Sequence, residues 1–174
     1  MEYRQLGRAG LRVSAVLLGG WNFGKVTTER ESHALLDRAY EAGINVIDTA
    51  NKYGRGVSET HIGNWLASDP GRRDRMVIAT KVFGAMSDWP NDGRLSARHI
   101  RQAVEGSLSR LRTDRIDLYQ LHHVDRCTPW EEIWQAMDVL VDQGKVLYVG
   151  TSNHAGWQLA QGQESALKHG RSVW

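Results

Sequence analysis

Five short apolar runs recur along the chain: Ala15-Val16-Leu17-Leu18, Ile44-Asn45-Val46-Ile47, Met76-Val77-Ile78-Ala79, Ile116-Asp117-Leu118-Tyr119-Gln120-Leu121 and Lys145-Val146-Leu147-Tyr148-Val149. They are rich in β-branched residues and mostly continuous, the pattern of strands buried on both faces of a parallel sheet. Between them, apolar positions recur at helical spacing. Thr28 and Glu31 form a capping box, Leu35, Leu36, Ala39 and Tyr40 fill one helix face, and Gly43 closes that helix. Ser58 is placed to cap a second helix carrying Ile62, Trp65 and Leu66. A third opens at Ser96, with Ile100, Val104, Leu108 and Leu111 on one stripe. Thr128, with Pro129 at the first helical position, starts a fourth that buries Ile133, Met137, Leu140 and Val141 and ends at Gly144. A fifth covers Trp157 to Lys168.

The order is thus strand then helix, five times, with strand starts spaced as βα units require. Ahead of the first strand, Gly7 and Gly10 separate two short polar-apolar segments that read as a hairpin. An open doubly wound sheet and a barrel both fit this order. No G-x-G-x-x-G follows the first strand, where Gly19-Gly20-Trp21 stands instead, and no G-x-x-x-x-G-K occurs, which weakens the dinucleotide-fold reading.

Each run ends in a different chemistry: Gly19-Gly20-Trp21-Asn22 after the first, then Asp48, Lys81, His122, and Ser152-Asn153. In a parallel barrel all carboxyl ends share the face that carries the chemistry. Singly, each residue has a structural reading: Asp48 as a turn cap, Lys81 as a surface lysine, His122 as a core histidine. His122 and His123 are adjacent, so in a strand they point to opposite faces. Trp21, Trp65, Trp134 and Trp157 read as core or groove filler. Three ionisable groups at three equivalent strand ends, with Tyr53 five residues beyond Asp48, favour a common site.

These residues fall in stretches that carry a family pattern. They are Leu6 to Ser14, Gly43 to Gly54 with Ser58-Glu59, Ile78-Ala79-Thr80-Lys81, Asp117 to His122, and Gly150-Thr151-Ser152-Asn153. On them the chain resembles the aldo-keto reductases, most closely the bacterial reductases that share features with potassium-channel β subunits. The resemblance implies a TIM-type (β/α)8 barrel, of which residues 1–174 hold one domain: an N-terminal hairpin and the first five βα units, with strands six to eight absent. It implies NADPH-dependent reduction of an aldehyde or ketone, with Asp48, Tyr53, Lys81 and His122 as the catalytic set. It places Gly20, Trp21, Asp48, Ser152 and Asn153 at the cofactor. Residues that hold the adenosine 2′-phosphate in relatives fall outside the sequence, so a truncated chain is expected to bind NADPH weakly and to self-associate.

The chemistry suits the residues. Tyrosine is a neutral acid able to protonate a developing alkoxide, a neighbouring Lys81 ammonium stabilises the phenolate, Asp48 fixes the lysine, and His122 orients the carbonyl. Two other classes stand beside this one: a nucleotide-binding partner protein with little turnover, and a Schiff-base lyase using Lys81 as an amine. An ion pair with Asp48 argues against the second.

Composition narrows the rest. The 174 residues are 41% hydrophobic and 24% charged, with a net charge of +2, so one soluble globular domain is expected. No basic tract points to nucleic acid, and no membrane insertion is expected. The cluster Arg72-Arg73-Asp74-Arg75 reads as a solvated loop. His33, His61 and His99 lack metal-ligand spacing, so no metal is expected. One cysteine, Cys127, and a first segment without an apolar signal core suit a cytoplasmic setting.

Overall fold

The computed structural model describes residues 1–171 and 173. An antiparallel hairpin, β1 (Tyr3–Gln5) and β2 (Arg12–Ser14), precedes the first parallel strand, β3 (Leu18–Gly19). There follow α1 (Glu29–Glu41), β4 (Val46–Asp48), a 3-10 turn (Tyr53–Gly56), α2 (Val57–Ala67), α3 (Pro70–Arg75) and β5 (Val77–Val82). The chain continues through α4 (Ala97–Leu111), β6 (Ile116–Leu121), α5 (Trp130–Asp142), β7 (Val146–Thr151) and α6 (Gly156–Lys168). The five parallel strands stand in chain order, β3-β4-β5-β6-β7. These are five successive βα units of a (β/α)8 barrel, with the hairpin ahead of them.

Local signals that depend on near neighbours are realised. On α1 the Thr28 side chain accepts from the Glu31 N–H, and Glu31 returns a bond to the Thr28 N–H at 2.8 Å. Ser96 caps α4 through the His99 N–H, and the Ile100, Val104, Leu108 and Leu111 stripe is buried. Trp65 and Trp134 are core residues, whereas Trp21 and Trp157 are exposed.

Long-range contacts correct the reading elsewhere. Ser58 caps nothing: α2 starts after Gly56, and the Ser58 hydroxyl instead donates to the Gly20 carbonyl at 2.8 Å and lies 2.8 Å from Thr49 Oγ1. Thr128 bonds Asp125, and Pro129 takes the cap position of α5. The Arg72–Arg75 cluster is helical. Arg73 pairs with Asp117 at 2.9 Å and donates to the Met76 and Arg115 carbonyls, docking α3 on the starts of β5 and β6. An ion pair this buried is sustained only because the remaining donors also find acceptors. The first apolar run contributes only Leu18 to a strand, Val16 and Leu17 being exposed.

The helix side of the sheet is tied to the site by a buried carboxylate. Glu59 on α2 accepts from Thr80 on β5 at 2.6 Å and from Arg110 on α4 at 2.7 Å. Gly63 lets α4 approach, since a Cβ there would lie 2.1 Å from the Arg110 carbonyl oxygen. Thr80 precedes Lys81, so this network sets the height of Lys81 in the sheet. The opposite face carries a hollow of about 230 Å³ lined by Leu6, Val13, Val46, Ala79, Leu118 and Gln120, among others.

Candidate active site

Asp48 ends β4, Lys81 lies within β5 rather than at its exit, and His122 and Ser152 directly follow β6 and β7. Lys81 is one residue short of the last position of β5, so its long side chain runs up the concave face instead of into solvent. Its ammonium meets three oxygens: Asp48 Oδ2 at 2.5 Å, the Thr49 carbonyl at 2.9 Å and Tyr53 Oη at 3.3 Å. Three donors thus have three acceptors. The Lys81 side chain is 6% exposed and that of Asp48 25%, so the pair is sheltered on the lysine side and open toward the cleft.

Backbone bonds hold the segment between Asp48 and Tyr53 in place. The Thr49 N–H donates to the Ala79 carbonyl, and Asn51 N–H to the Lys81 carbonyl at 3.1 Å, before the chain turns at Ala50–Tyr53. That turn brings the Tyr53 hydroxyl back over the lysine five residues after the aspartate. The Tyr53 ring meets His122 edge-on at 5.6 Å and Trp21 at 4.8 Å. Asp48, Tyr53, Lys81 and His122 are therefore brought together, with Trp21 against the tyrosine.

Burial, reinforced by the Lys81 and His123 charges, pushes the His122 imidazole down to about 4. It is neutral at pH 7, and Nδ1 has no hydrogen-bond partner among the described residues. His123 does not point away, as strand alternation requires. β6 has ended at Leu121, and the two rings stack at 4.9 Å with 11° between planes while His123 meets Phe83 edge-on.

On the adjoining rim, Asn153 sits at φ 57° and its side-chain amide donates to the His122 carbonyl at 2.9 Å and to Ser152 Oγ. Ser152 and Asn153 thereby border His122. Gly20 is buried, its N–H bound to the Asp48 carbonyl and its carbonyl to Ser58. A Cβ on it would lie 2.7 Å from Ser58 Oγ, so this glycine sets the close approach of the first loop to β4.

One residue was overlooked in the sequence. Gln120 donates its side-chain amide to Asp48 Oδ1 at 3.0 Å, on the oxygen that Lys81 leaves open. The available signal was an amide inside an apolar strand, two residues before His122. Among the described residues no cluster of three or more His, Cys, Asp or Glu side chains is placed to hold a metal ion, and no helix is long and apolar enough to cross a membrane.

Residues 15–170 match the model of the aldo/keto reductase family. The chain is 50% identical over 97% of its length to an uncharacterized oxidoreductase, YrpG, of Bacillus subtilis, covering 54% of that protein. It is 39% identical over 98% of its length to a versiconal hemiacetal acetate reductase of Aspergillus parasiticus, covering 56% of it. A probable voltage-gated potassium channel subunit beta of Oryza sativa is 38% identical over 92% of the chain, which covers 49% of that subunit. The chain spans about half the length of these curated relatives.

Proposed function

The chain belongs to the aldo/keto reductase family, and we propose that its strand-end site reduces an aldehyde or ketone to the alcohol with NADPH as cofactor. The observation that carries this reading is the Lys81 ammonium shared by Asp48 Oδ2 and Tyr53 Oη. A bound reduced nicotinamide supplies the hydride to the carbonyl carbon. Tyr53 gives its hydroxyl proton to the carbonyl oxygen as negative charge grows there, and the Lys81 ammonium stabilises the phenolate that remains. Asp48 keeps the ammonium aimed at Tyr53. His122, neutral at pH 7, serves as a hydrogen-bonding polariser of the carbonyl, which leaves the tyrosine as proton source.

The rim residues fit a nicotinamide carboxamide. Ser152 and Asn153 present a hydroxyl and an amide beside His122, and Asn153 is locked by its bond to the His122 carbonyl. In this reading they hold the carboxamide, while Trp21 and Asp48 line the adjoining wall.

Two competing readings part from this one by experiment. A nucleotide-binding partner role draws support from the likeness to the rice channel subunit. A Schiff-base lyase needs a free amine at Lys81, and all three of its donors are engaged. Incubation with NADPH and a panel of aldehydes and ketones, followed by loss of NADPH absorbance and identification of the alcohol, tests the proposal. Tight NADPH binding without turnover favours the partner reading, and a borohydride-trapped adduct on Lys81 favours the lyase.

A further inference from the structure

A second cleft adjoins Tyr53. It encloses about 260 Å³ between the loop after β3 and the 3-10 turn, and is lined by Trp21, Lys25, Lys52, Tyr53, Gly54 and Arg55. Three of these six residues are cationic. Lys25 Nζ stands 4.8 Å over the Trp21 ring, and neither Lys25, Lys52 nor Arg55 takes part in any salt bridge among the described residues. The whole chain carries only +2, so three uncompensated charges in one cleft form a local excess. The carboxylate of the site, Asp48, is committed to Lys81 and Gln120. The field reaches the site: burial is the main cause of the depressed His122 pKa, and the Lys52 charge lowers it a little further.

The cleft is built rather than incidental. Phe23 anchors the first loop in the core at 1% exposure. Gly24 lies so close to Val57 that a Cβ would stand 2.1 Å from its Cγ1, and Gly54 packs against Phe23 and Val57 in the same seam. Arg55 holds φ 52°, a left-handed conformation that a long side chain adopts at a cost. The two loops are thus interlocked, and the cations they present are fixed at the backbone.

We propose that this cleft is a subsite for an anionic group on the substrate, so that the carbonyl compound reduced at Tyr53 is an aldehyde or ketone bearing a carboxylate or phosphate. The proposal rests on the carbonyl-reduction reading and adds its substrate class. An anion seated on Lys52 and Arg55, with Lys25 and Trp21 closing one side, places the rest of the molecule against the Tyr53 hydroxyl. Because the cations are solvent-facing, the attraction is screened by salt.

The test compares benzaldehyde with 4-carboxybenzaldehyde and 4-formylphenyl phosphate. At low salt, kcat/KM for at least one anionic aldehyde is expected to exceed that for benzaldehyde by roughly ten-fold, with the advantage shrinking as sodium chloride is added. Lys52→Met and Arg55→Met should each cut this charged-to-neutral ratio by roughly three-fold or more. Preference for only one of the anions identifies which group the cleft takes. Equal kcat/KM for all three aldehydes overturns the proposal. So do variants that weaken NADPH binding and leave the ratio intact, since the cations then serve the cofactor. If none of the aldehydes is reduced, carbonyl reduction itself fails as a reading. The subsite is then judged by the Trp21 indole NMR signal: a shift with 4-carboxybenzyl alcohol, absent with benzyl alcohol and lost in Lys52→Met, supports it, and no shift overturns it.

Discussion

The side-chain amide of Gln120 donates to Asp48 Oδ1 at 3.0 Å from the far side of β5, while Lys81, its register partner on β5, takes Oδ2. Both carboxylate oxygens are therefore fixed, one by a charge and one by a neutral donor. This geometry holds Asp48 in the rotamer that faces Lys81, and it makes Gln120 a positioning residue for the ammonium. Gln120→Met keeps the volume and removes the donor. A charge-assisted bond of this kind is worth enough to lower kcat roughly ten-fold, with KM and NADPH affinity little changed. Gln120→Glu should be worse near neutral pH and recover as the new carboxyl takes up a proton. Steady-state kinetics across pH checks both.

Lys81→Met removes the ammonium that joins Asp48 to Tyr53 and should lower kcat by roughly 10²-fold or more. Lys81→Arg keeps a cation of different shape and reach, so partial activity is expected. Mass spectrometry after borohydride reduction with substrate should find Lys81 unmodified.

His122 titrates in the folded chain at about 4, against an ordinary 6.5. Its folded-state value is depressed, so the stability associated with the neutral ring is present above pH 6.5 and is lost as pH falls from 6.5 toward 4. A depression of this size corresponds to on the order of 3 kcal/mol. Urea unfolding at pH 7 and pH 4 should show a smaller acid loss in His122→Gln than in the parent, and ring NMR signals of His122 should move near pH 4.

The sheet has two lateral edges. Among the described residues β3 pairs with β4 alone, and β7 pairs with β6 and, through one parallel bridge, with Val173. The concave face between them exposes Leu17 and leaves Leu118 half-buried. Unpaired edge groups and an open apolar face favour association. Light scattering of the 174-residue chain is expected to show mass rising with concentration, and hydrogen exchange should be faster in β3 than in β5.

What was legible in the sequence was what neighbours decide. The Thr28–Glu31 box and the Ser96 cap need partners only three residues away, and the helical stripe of α4 is a matter of period. Ser58 and Thr128 have the right chemistry for caps, yet their hydroxyls are taken by Gly20, Thr49 and Asp125, contacts that form only once the units are assembled. Arg73 looked solvated because its partner Asp117 lies far along the chain, on β6, and meets α3 only in the assembled fold. Asp48, Lys81 and His122 were readable from the ends of the apolar runs and Tyr53 from its place five residues beyond Asp48, although Lys81 lies inside β5 rather than at its end. Gln120 was not, because its role exists only across β5. The stacking of His122 on His123 was hidden for a related reason: the strand stops one residue earlier, and alternation stops with it.

The central claim is that Tyr53 protonates a carbonyl oxygen beside the Lys81 ammonium. Its most direct test is single-turnover oxidation of bound NADPH by an aldehyde in the parent protein and in Tyr53→Phe, with NADPH affinity measured alongside by cofactor fluorescence. The expected result is a rate lower by roughly 10²-fold or more in Tyr53→Phe with cofactor affinity nearly unchanged. A Tyr53→Phe rate near that of the parent would contradict the assignment and remove Tyr53 as the proton donor.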